Sequence, residues 1–110
     1  MLPSCVIVFT TFPADGDAKA VAETLVAERL AACVNLLPPM QSVYRWQGKV
    51  EQAEERQLII KTTAASVDRL QARLKELHPY DVPEFLVLSV SDGSESYLRW
   101  LQDSVSELRR

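Results

Sequence analysis

The segment QSVYRWQGKVEQAEERQLIIKTT constrains the fold more than any other, because it has the pattern of one long β-hairpin. Val43 and Arg45 point to one face of the first arm, and Tyr44 and Trp46 point to the other. The dipeptide QG that follows suits a tight turn, and the returning arm ends in an apolar strand-like run. We therefore predict a hairpin with arms of about a dozen residues, well beyond the usual strand length of about 5–6.

Three further segments have strand character. SCVIVFTT, residues 4–11, is a β-branched apolar run that ends before Pro13. CVNLL begins at Cys33 and leads into Pro38 and Pro39, which mark a bulge or a sheet edge because proline cannot donate to a ladder. EFLVLSV, beginning at Glu84, is predicted as the last strand.

Three amphipathic helices separate or follow these strands. Apolar residues recur at helical spacing from Val21 to Leu30, from Val67 to Leu77 and from Leu98 to Leu108. Pro79 ends the second helix, because the residue before a proline is disfavoured in the α region. The predicted N-terminal caps are Asp15 or Asp17 for the first helix, Ser66 or Thr63 for the second, and Asp92, in a capping box with Glu95, for the third.

CVNLL and the first hairpin arm together count as the second strand, so the resulting order is βαββαβ with an additional C-terminal helix. Two right-handed β-α-β units that share one antiparallel sheet form the ferredoxin-like α+β sandwich, here as a single domain over residues 1–110. The long hairpin extends beyond a four-stranded sheet and leaves unpaired edges, which proteins usually cover. We expect the same hairpin of another subunit to cover them, so the sequence predicts a homo-oligomer.

Composition excludes several classes of protein. The net charge of -3 provides no basic surface for nucleic acid. The apolar run near the N-terminus is too short for a membrane span and lacks the positive flank of a signal peptide. Two cysteines without a Cys-x-x-Cys motif are a weak indication of secretion, so we predict a cytoplasmic protein.

Several motifs resemble one known family. ERLAACVNLLP, SVYRWQGKVE, KTT, LHPYDVPEF and YLRWL occur in the order and spacing of the CutA divalent-cation-tolerance family, from about Phe9 to Leu101. The resemblance implies a ferredoxin-like fold, a tight trimer formed through the long hairpins, a link to tolerance of copper and other divalent metals, and no established enzymatic reaction. It also implies a similarity in architecture to trimeric nitrogen-signalling proteins, which bind small effectors between subunits.

His78, Cys33 and Glu84 are the candidate metal ligands. Imidazole suits copper, zinc and nickel, a thiolate suits Cu(I), and a carboxylate suits harder cations. The alternatives are a helix-terminal histidine that bonds backbone carbonyls and a small buried cysteine. Family members proposed to bind copper can carry a cysteine near the end of strand one and a second histidine beside the conserved one, whereas this chain has Thr10 and Leu77 there. We expect no required cofactor, and at most weak binding of copper or another divalent cation.

Other charged residues also match the family. We expect Glu51 and Glu55 to lie on a solvated acidic face or to form ion pairs between the hairpins of neighbouring subunits. Lys61 and Glu84 adjoin apolar strand segments, where an unpaired charge is costly, so they belong either to ion pairs or to a ligand site.

Aromatic residues are few, and most of them lie in or near the family motifs. Oligomer interfaces and ligand pockets are both enriched in aromatic side chains, so either role is open. The predicted cleft between subunits is formed by Tyr44, Trp46, Lys61, Tyr80 and Trp100, with Glu84 as a further member.

Three functions follow as hypotheses. The first is a non-enzymatic trimer for divalent metal ion tolerance, since no nucleotide loop or nucleophile motif is present. The second is a small-molecule sensor that uses the cleft between subunits, and the third is a structural scaffold.

Overall fold

The computed structural model describes residues 4–106. Within these residues there are five strands and three α-helices. In chain order they are β1 (Cys5–Pro13), α1 (Ala18–Ala27), β2 (Cys33–Leu36), β3 (Met40–Trp46), β4 (Lys49–Thr63), a 3₁₀ turn (Ala64–Ser66), α2 (Val67–Leu77), β5 (Leu86–Ser89) and α3 (Glu95–Val105). Within residues 4–106, no helix has both the length and the hydropathy to span a membrane.

The strands form one antiparallel sheet with the order β2-β4-β1-β5, and β3 also pairs with β4. This is the strand order of the predicted ferredoxin-like sandwich. The predicted second strand is divided into β2 and β3, which pair with successive parts of β4. Pro38 and Pro39 lie between them, because their missing N–H groups cannot extend the ladder.

The predicted hairpin is present, but its first arm, β3, has 7 residues rather than about a dozen, because the chain leaves the ladder at Pro38 and Pro39. β4 has 15 residues, and its first half pairs with β3, in register from Met40 opposite Glu55 to Trp46 opposite Lys49; of these β4 residues only Glu55 is also paired with β1, opposite Pro13. Gln47 and Gly48 form the turn with positive φ angles of 51° and 81°, the two left-handed residues that a tight hairpin turn requires. The β3–β4 ribbon accounts for much of the molecule's elongation to 49 Å against 26 and 23 Å.

Two apolar clusters lie on opposite faces of the sheet. Val6 and Val8 of β1 pack with Leu25 of α1 and Leu70 of α2. Cys5 points the other way and packs with Leu101 and other residues of α3. The C-terminal helix therefore covers the face that α1 and α2 leave open.

Several predicted element ends differ from the structure. The capping box of Asp92 and Glu95 is wrong: Ser94 accepts the Tyr97 N–H at 3.3 Å, while the Asp92 carboxylate accepts the N–H of Gly93. α1 ends at Ala27, so Leu30 is buried after the helix rather than on it. The last strand begins two residues later than predicted, and Leu108 lies outside the described residues.

The other two helices lack the predicted side-chain caps. Asp17 and Ser66 occupy the N-cap positions, but neither side chain bonds a helix N–H. The Ser66 hydroxyl is instead hydrogen-bonded to that of Thr63 at 3.0 Å. α2 ends at Leu77 and His78 is extended, as Pro79 predicts.

Candidate functional site

His78 connects the segment between α2 and β5 to the end of β1 through hydrogen bonds. The Tyr80 backbone N–H donates to Nδ1 at 3.1 Å, so Nε2 carries the proton and donates to the Thr11 carbonyl at 2.7 Å. The ring centroid lies 4.1 Å from that of Phe12, and the imidazole is buried. Both ring nitrogens are therefore occupied by backbone hydrogen bonds.

The same surroundings keep His78 neutral. Burial lowers the pKa of its imidazole, and this outweighs the Thr11 carbonyl and the nearby charge of Glu55, which both favour the protonated ring. A proton on Nδ1 would also face the Tyr80 N–H and break that hydrogen bond. A metal ion at either nitrogen would have to displace one of these two bonds.

Tyr80 and Glu55 form the second polar contact of this region. The Tyr80 hydroxyl donates to Glu55 Oε2 at 2.6 Å. Burial, followed by the hydrogen bond to Glu55, raises the pKa of Tyr80 well above its ordinary value, so the phenol remains a donor. Glu55 is only 8% exposed, and this bond is the one that its side chain accepts within residues 4–106.

A cavity of about 560 Å³ opens above this pair. Tyr44 and Trp46, on one face of β3, and Tyr80 form its aromatic walls, while Glu55 and Asp81 supply carboxylates. The remaining lining residues are Thr11, Ala53, Pro79 and Val82. We call it the aromatic cavity. Its volume and mixed lining are those of a small-molecule site.

A smaller cavity of about 160 Å³ lies on the other side of His78. Thr10, Lys75 and Glu84 help to line it, and the fully buried Thr10 hydroxyl has no hydrogen-bond partner. Gln57 donates both to Glu84 at 2.9 Å and to the Thr10 carbonyl at 2.8 Å. Glu84 is thus hydrogen-bonded beside a small polar cavity.

The three predicted metal ligands are not brought together within one chain. His78 and Glu84 line the smaller cavity, whereas Cys33 is on β2, paired with Lys61 of β4. Within residues 4–106, no three His, Cys, Asp or Glu side chains form a group that could hold a metal ion. One chain alone therefore does not fit a tight metal site, and convergence of ligands from several subunits stays a prediction.

Within one chain, the residues of the predicted cleft also fall into two separate groups. Tyr44, Trp46 and Tyr80 share the aromatic cavity. Lys61 lies elsewhere, with its ammonium nitrogen 5.9 Å from the centroid of the Tyr97 ring on α3. Trp100 belongs to that second group, since its ring centroid is 5.3 Å from that of Tyr97.

The two acidic hairpin residues have different environments. Glu51 is exposed, as predicted for a solvated face. The same prediction is wrong for Glu55, because Tyr80 and the end of β1 cover this part of β4. Neither residue forms an ion pair within the described part of the chain, so pairing across subunits stays a prediction.

Sequence reasoning missed the contributions of Asp81 and Thr11 to the aromatic cavity. Asp81 could have been found, since it directly follows Tyr80 in the short segment between Pro79 and Pro83. Thr11 gave no such signal, because its position at the cavity depends on how β1 pairs with β4.

The comparisons with known proteins agree with one another. The family model described as CutA1 divalent ion tolerance protein matches residues 6–104. The divalent-cation tolerance protein CutA of Thermus thermophilus is 45% identical over 98 residues, which cover 89% of this chain and 95% of that protein. Its counterpart in Pectobacterium atrosepticum is 47% identical over 105 residues, covering 94% and 96%. The crystal structure of CutA1 from Oryza sativa superimposes with a TM-score of 0.92 at 40% identity, covering 97% of this chain and 98% of that one. This chain therefore belongs to the CutA1 divalent ion tolerance protein family.

Proposed function

We propose that this protein acts in divalent metal ion tolerance as a cytoplasmic, non-enzymatic homotrimer. Family membership supports the link to metal tolerance. The observation that supports a homotrimer is the large apolar surface of the sheet that is exposed in a single chain. The Cys33 thiol forms no disulfide within residues 4–106, which suits a reducing compartment.

The exposed apolar surface lies where another subunit could pair. β5 is the outer strand of the sheet, and its Leu86, Val87 and Leu88 are 56%, 45% and 43% exposed. On the β3–β4 ribbon, Val43 and Val50 are 63% and 66% exposed. Unpaired apolar edges of this kind favour strand pairing with a second chain, and closed symmetry would leave no edge open.

Light scattering after gel filtration tests the trimer. We expect a mass near three times the chain mass of 12.4 kDa, and a Leu86→Lys variant should dissociate. Val26→Lys is the matched control, because Val26 is a similarly exposed apolar residue on α1, outside the sheet. A monomeric wild-type protein, or equal dissociation of both variants, would contradict the proposed assembly.

For the metal itself, we propose weak binding of copper or another divalent cation. His78, Cys33 and Glu84 would each act as a separate ligand that a neighbouring subunit completes. Weak affinity follows from the cost of displacing a His78 hydrogen bond, about 0.5–1.5 kcal/mol. Titration calorimetry with Cu²⁺ should show weak binding that His78→Ala removes while the trimer persists. Unchanged affinity in that variant would exclude His78 as a ligand.

The aromatic cavity favours a second candidate function, the sensing of a small effector. Trp46 and Tyr44 lie at the cavity and on the exposed ribbon, so an occupant could alter how neighbouring subunits pair. A thermal-shift screen with neutral, anionic and cationic metabolites tests this candidate. It predicts that at least one compound raises the melting temperature of the wild type and not of Trp46→Leu, and a fully unresponsive screen would refute it.

A further inference from the structure

We propose that the aromatic cavity binds an organic ammonium cation. This inference rests on the proposed effector function and specifies the chemistry of the effector. It is carried by the combination of three aromatic walls with a buried carboxylate, that of Glu55, which forms no ion pair within residues 4–106.

The walls provide the surface that an alkylammonium group prefers. Tyr44 and Trp46 are two residues apart on β3 and therefore face the same side of the ribbon. Both remain nearly half exposed, and Tyr80 faces the same cavity from the segment after α2. The negative faces of aromatic rings attract a cation within about 6 Å, and cages of such rings recognise quaternary ammonium groups.

The charges of the lining favour the same ligand. Glu55 and Asp81 are acidic, and among the described residues, 4–106, no Lys, Arg or His lines the cavity. Glu55 is buried and accepts one hydrogen bond, from the neutral phenol of Tyr80. A buried carboxylate without a positive partner is costly, and a bound cation would supply that partner.

The arginines nearest in sequence to the cavity residues do not provide a positive partner for Glu55. Arg56 follows Glu55 on β4, and its Nε donates to the Leu37 carbonyl at 2.9 Å. Arg45, between the two aromatic residues of β3, donates to the Gly48 carbonyl at the hairpin turn. Successive strand residues alternate between faces, so both guanidinium groups lie on the side away from the cavity lining. Lys49 is paired with Trp46 beside the hairpin turn and is not among the lining residues. The charged groups of the lining itself are therefore the carboxylates of Glu55 and Asp81.

The smaller cavity beside His78 offers a contrast. Lys75 is part of its lining, and Glu84 there is bonded to the Gln57 amide, so its charge balance does not favour a cation. Its volume of about 160 Å³ is also below the range of about 300–1,000 Å³ typical of ligand sites. The inference is therefore specific to the aromatic cavity.

Choline and its neutral isostere 3,3-dimethylbutan-1-ol provide a direct test, because they differ in charge and hardly in shape. The chain has two tryptophans, so a Trp100→Phe background leaves Trp46 as the only fluorophore of this type. In that background, with EDTA present to remove metal ions, choline should change the Trp46 emission saturably. The neutral isostere should bind at least about tenfold more weakly, the expected scale for a desolvated cation–aromatic contact with a carboxylate beside it.

Charge-removing variants locate the site. Glu55→Gln keeps an acceptor for Tyr80 and should weaken choline binding by about tenfold. Asp81→Asn, at an exposed residue whose replacement should not impair folding, should weaken it by about threefold. Glu54→Gln is the matched control on the same strand and should leave binding unchanged, because Glu54 is exposed, lies on the opposite face of β4 from Glu55 and is not among the lining residues.

The outcomes separate this inference from the effector proposal. Equal binding of choline and its isostere, or no saturable response to choline, would overturn the cation inference. A neutral or anionic compound that binds in the thermal-shift screen would then leave the effector proposal standing with another ligand class. A loss of choline binding in Glu54→Gln equal to that in Glu55→Gln would place the cation outside the cavity and overturn the assignment.

Discussion

Replacing Tyr80 by phenylalanine removes the hydroxyl that donates to Glu55 and keeps the ring beside His78. The lost bond is short, at 2.6 Å, and its acceptor is a carboxylate. Hydrogen bonds to charged groups contribute about 1.5–3 kcal/mol. Because Tyr80 is partly exposed, water can replace some of this bond, so we expect a loss of about 2 kcal/mol in the free energy of unfolding.

Urea denaturation at fixed protein concentration is the appropriate measurement, since the stability of an oligomer depends on concentration. Tyr97→Phe is the control, because its ring also lies against neighbouring side chains but its hydroxyl bonds none of the residues from 4 to 106. That control should stay within about 0.5 kcal/mol of the wild type. Combining Tyr80→Phe with Glu55→Gln should give a total loss well below the sum of the two. Equal small losses for both tyrosine variants would refute the assigned role of the Tyr80–Glu55 contact.

Three further predictions concern His78 at the end of α2, the hairpin turn and the apolar core. The folded protein lowers the pKa of His78 below the ordinary value of 6.5, so unfolding takes up a proton at pH values just below 6.5. The free energy of unfolding should therefore fall as the pH drops below about 6.5. Urea titrations of His78→Asn should show a weaker dependence of stability on pH. Gly48→Ala places a side chain at φ 81°, where no atom lies within 4 Å of the new Cβ. Backbone strain alone should therefore lower the free energy of unfolding by about 1 kcal/mol in the same assay, and an unchanged stability would contradict the turn geometry. Leu58→Ala, at a fully buried site on β4, should cost about 3–5 kcal/mol, and a loss under about 1 kcal/mol would contradict its place in the core.

The sequence was sufficient for the fold because its local patterns are strong. The alternation around Tyr44, the QG turn and the proline after His78 each fix one element by backbone chemistry. The cap of α3 could not be fixed in this way, because Asp92 and Ser94 are both good cap residues in the same short loop. Only the path of the loop decides that Ser94 faces the first turn.

The candidate site was predictable in part, for a geometric reason. Trp46 and Tyr44 share a face by strand alternation alone, so their common cavity follows from the sequence. Within one chain Lys61 lies roughly 20 Å along β4 from Glu55, so its membership of a cleft between subunits stays a prediction. The burial of Glu55 depends on Tyr80, a residue distant in sequence, so alternation within the hairpin could not reveal it.

A crystal structure of the protein grown with saturating choline tests the central claim most directly, because it shows the assembly and the cavity together. We predict a trimer with the choline nitrogen enclosed by Tyr44, Trp46 and Tyr80 and close to the Glu55 carboxylate. A cavity filled by a side chain of a neighbouring subunit, with choline absent from it, would contradict the account.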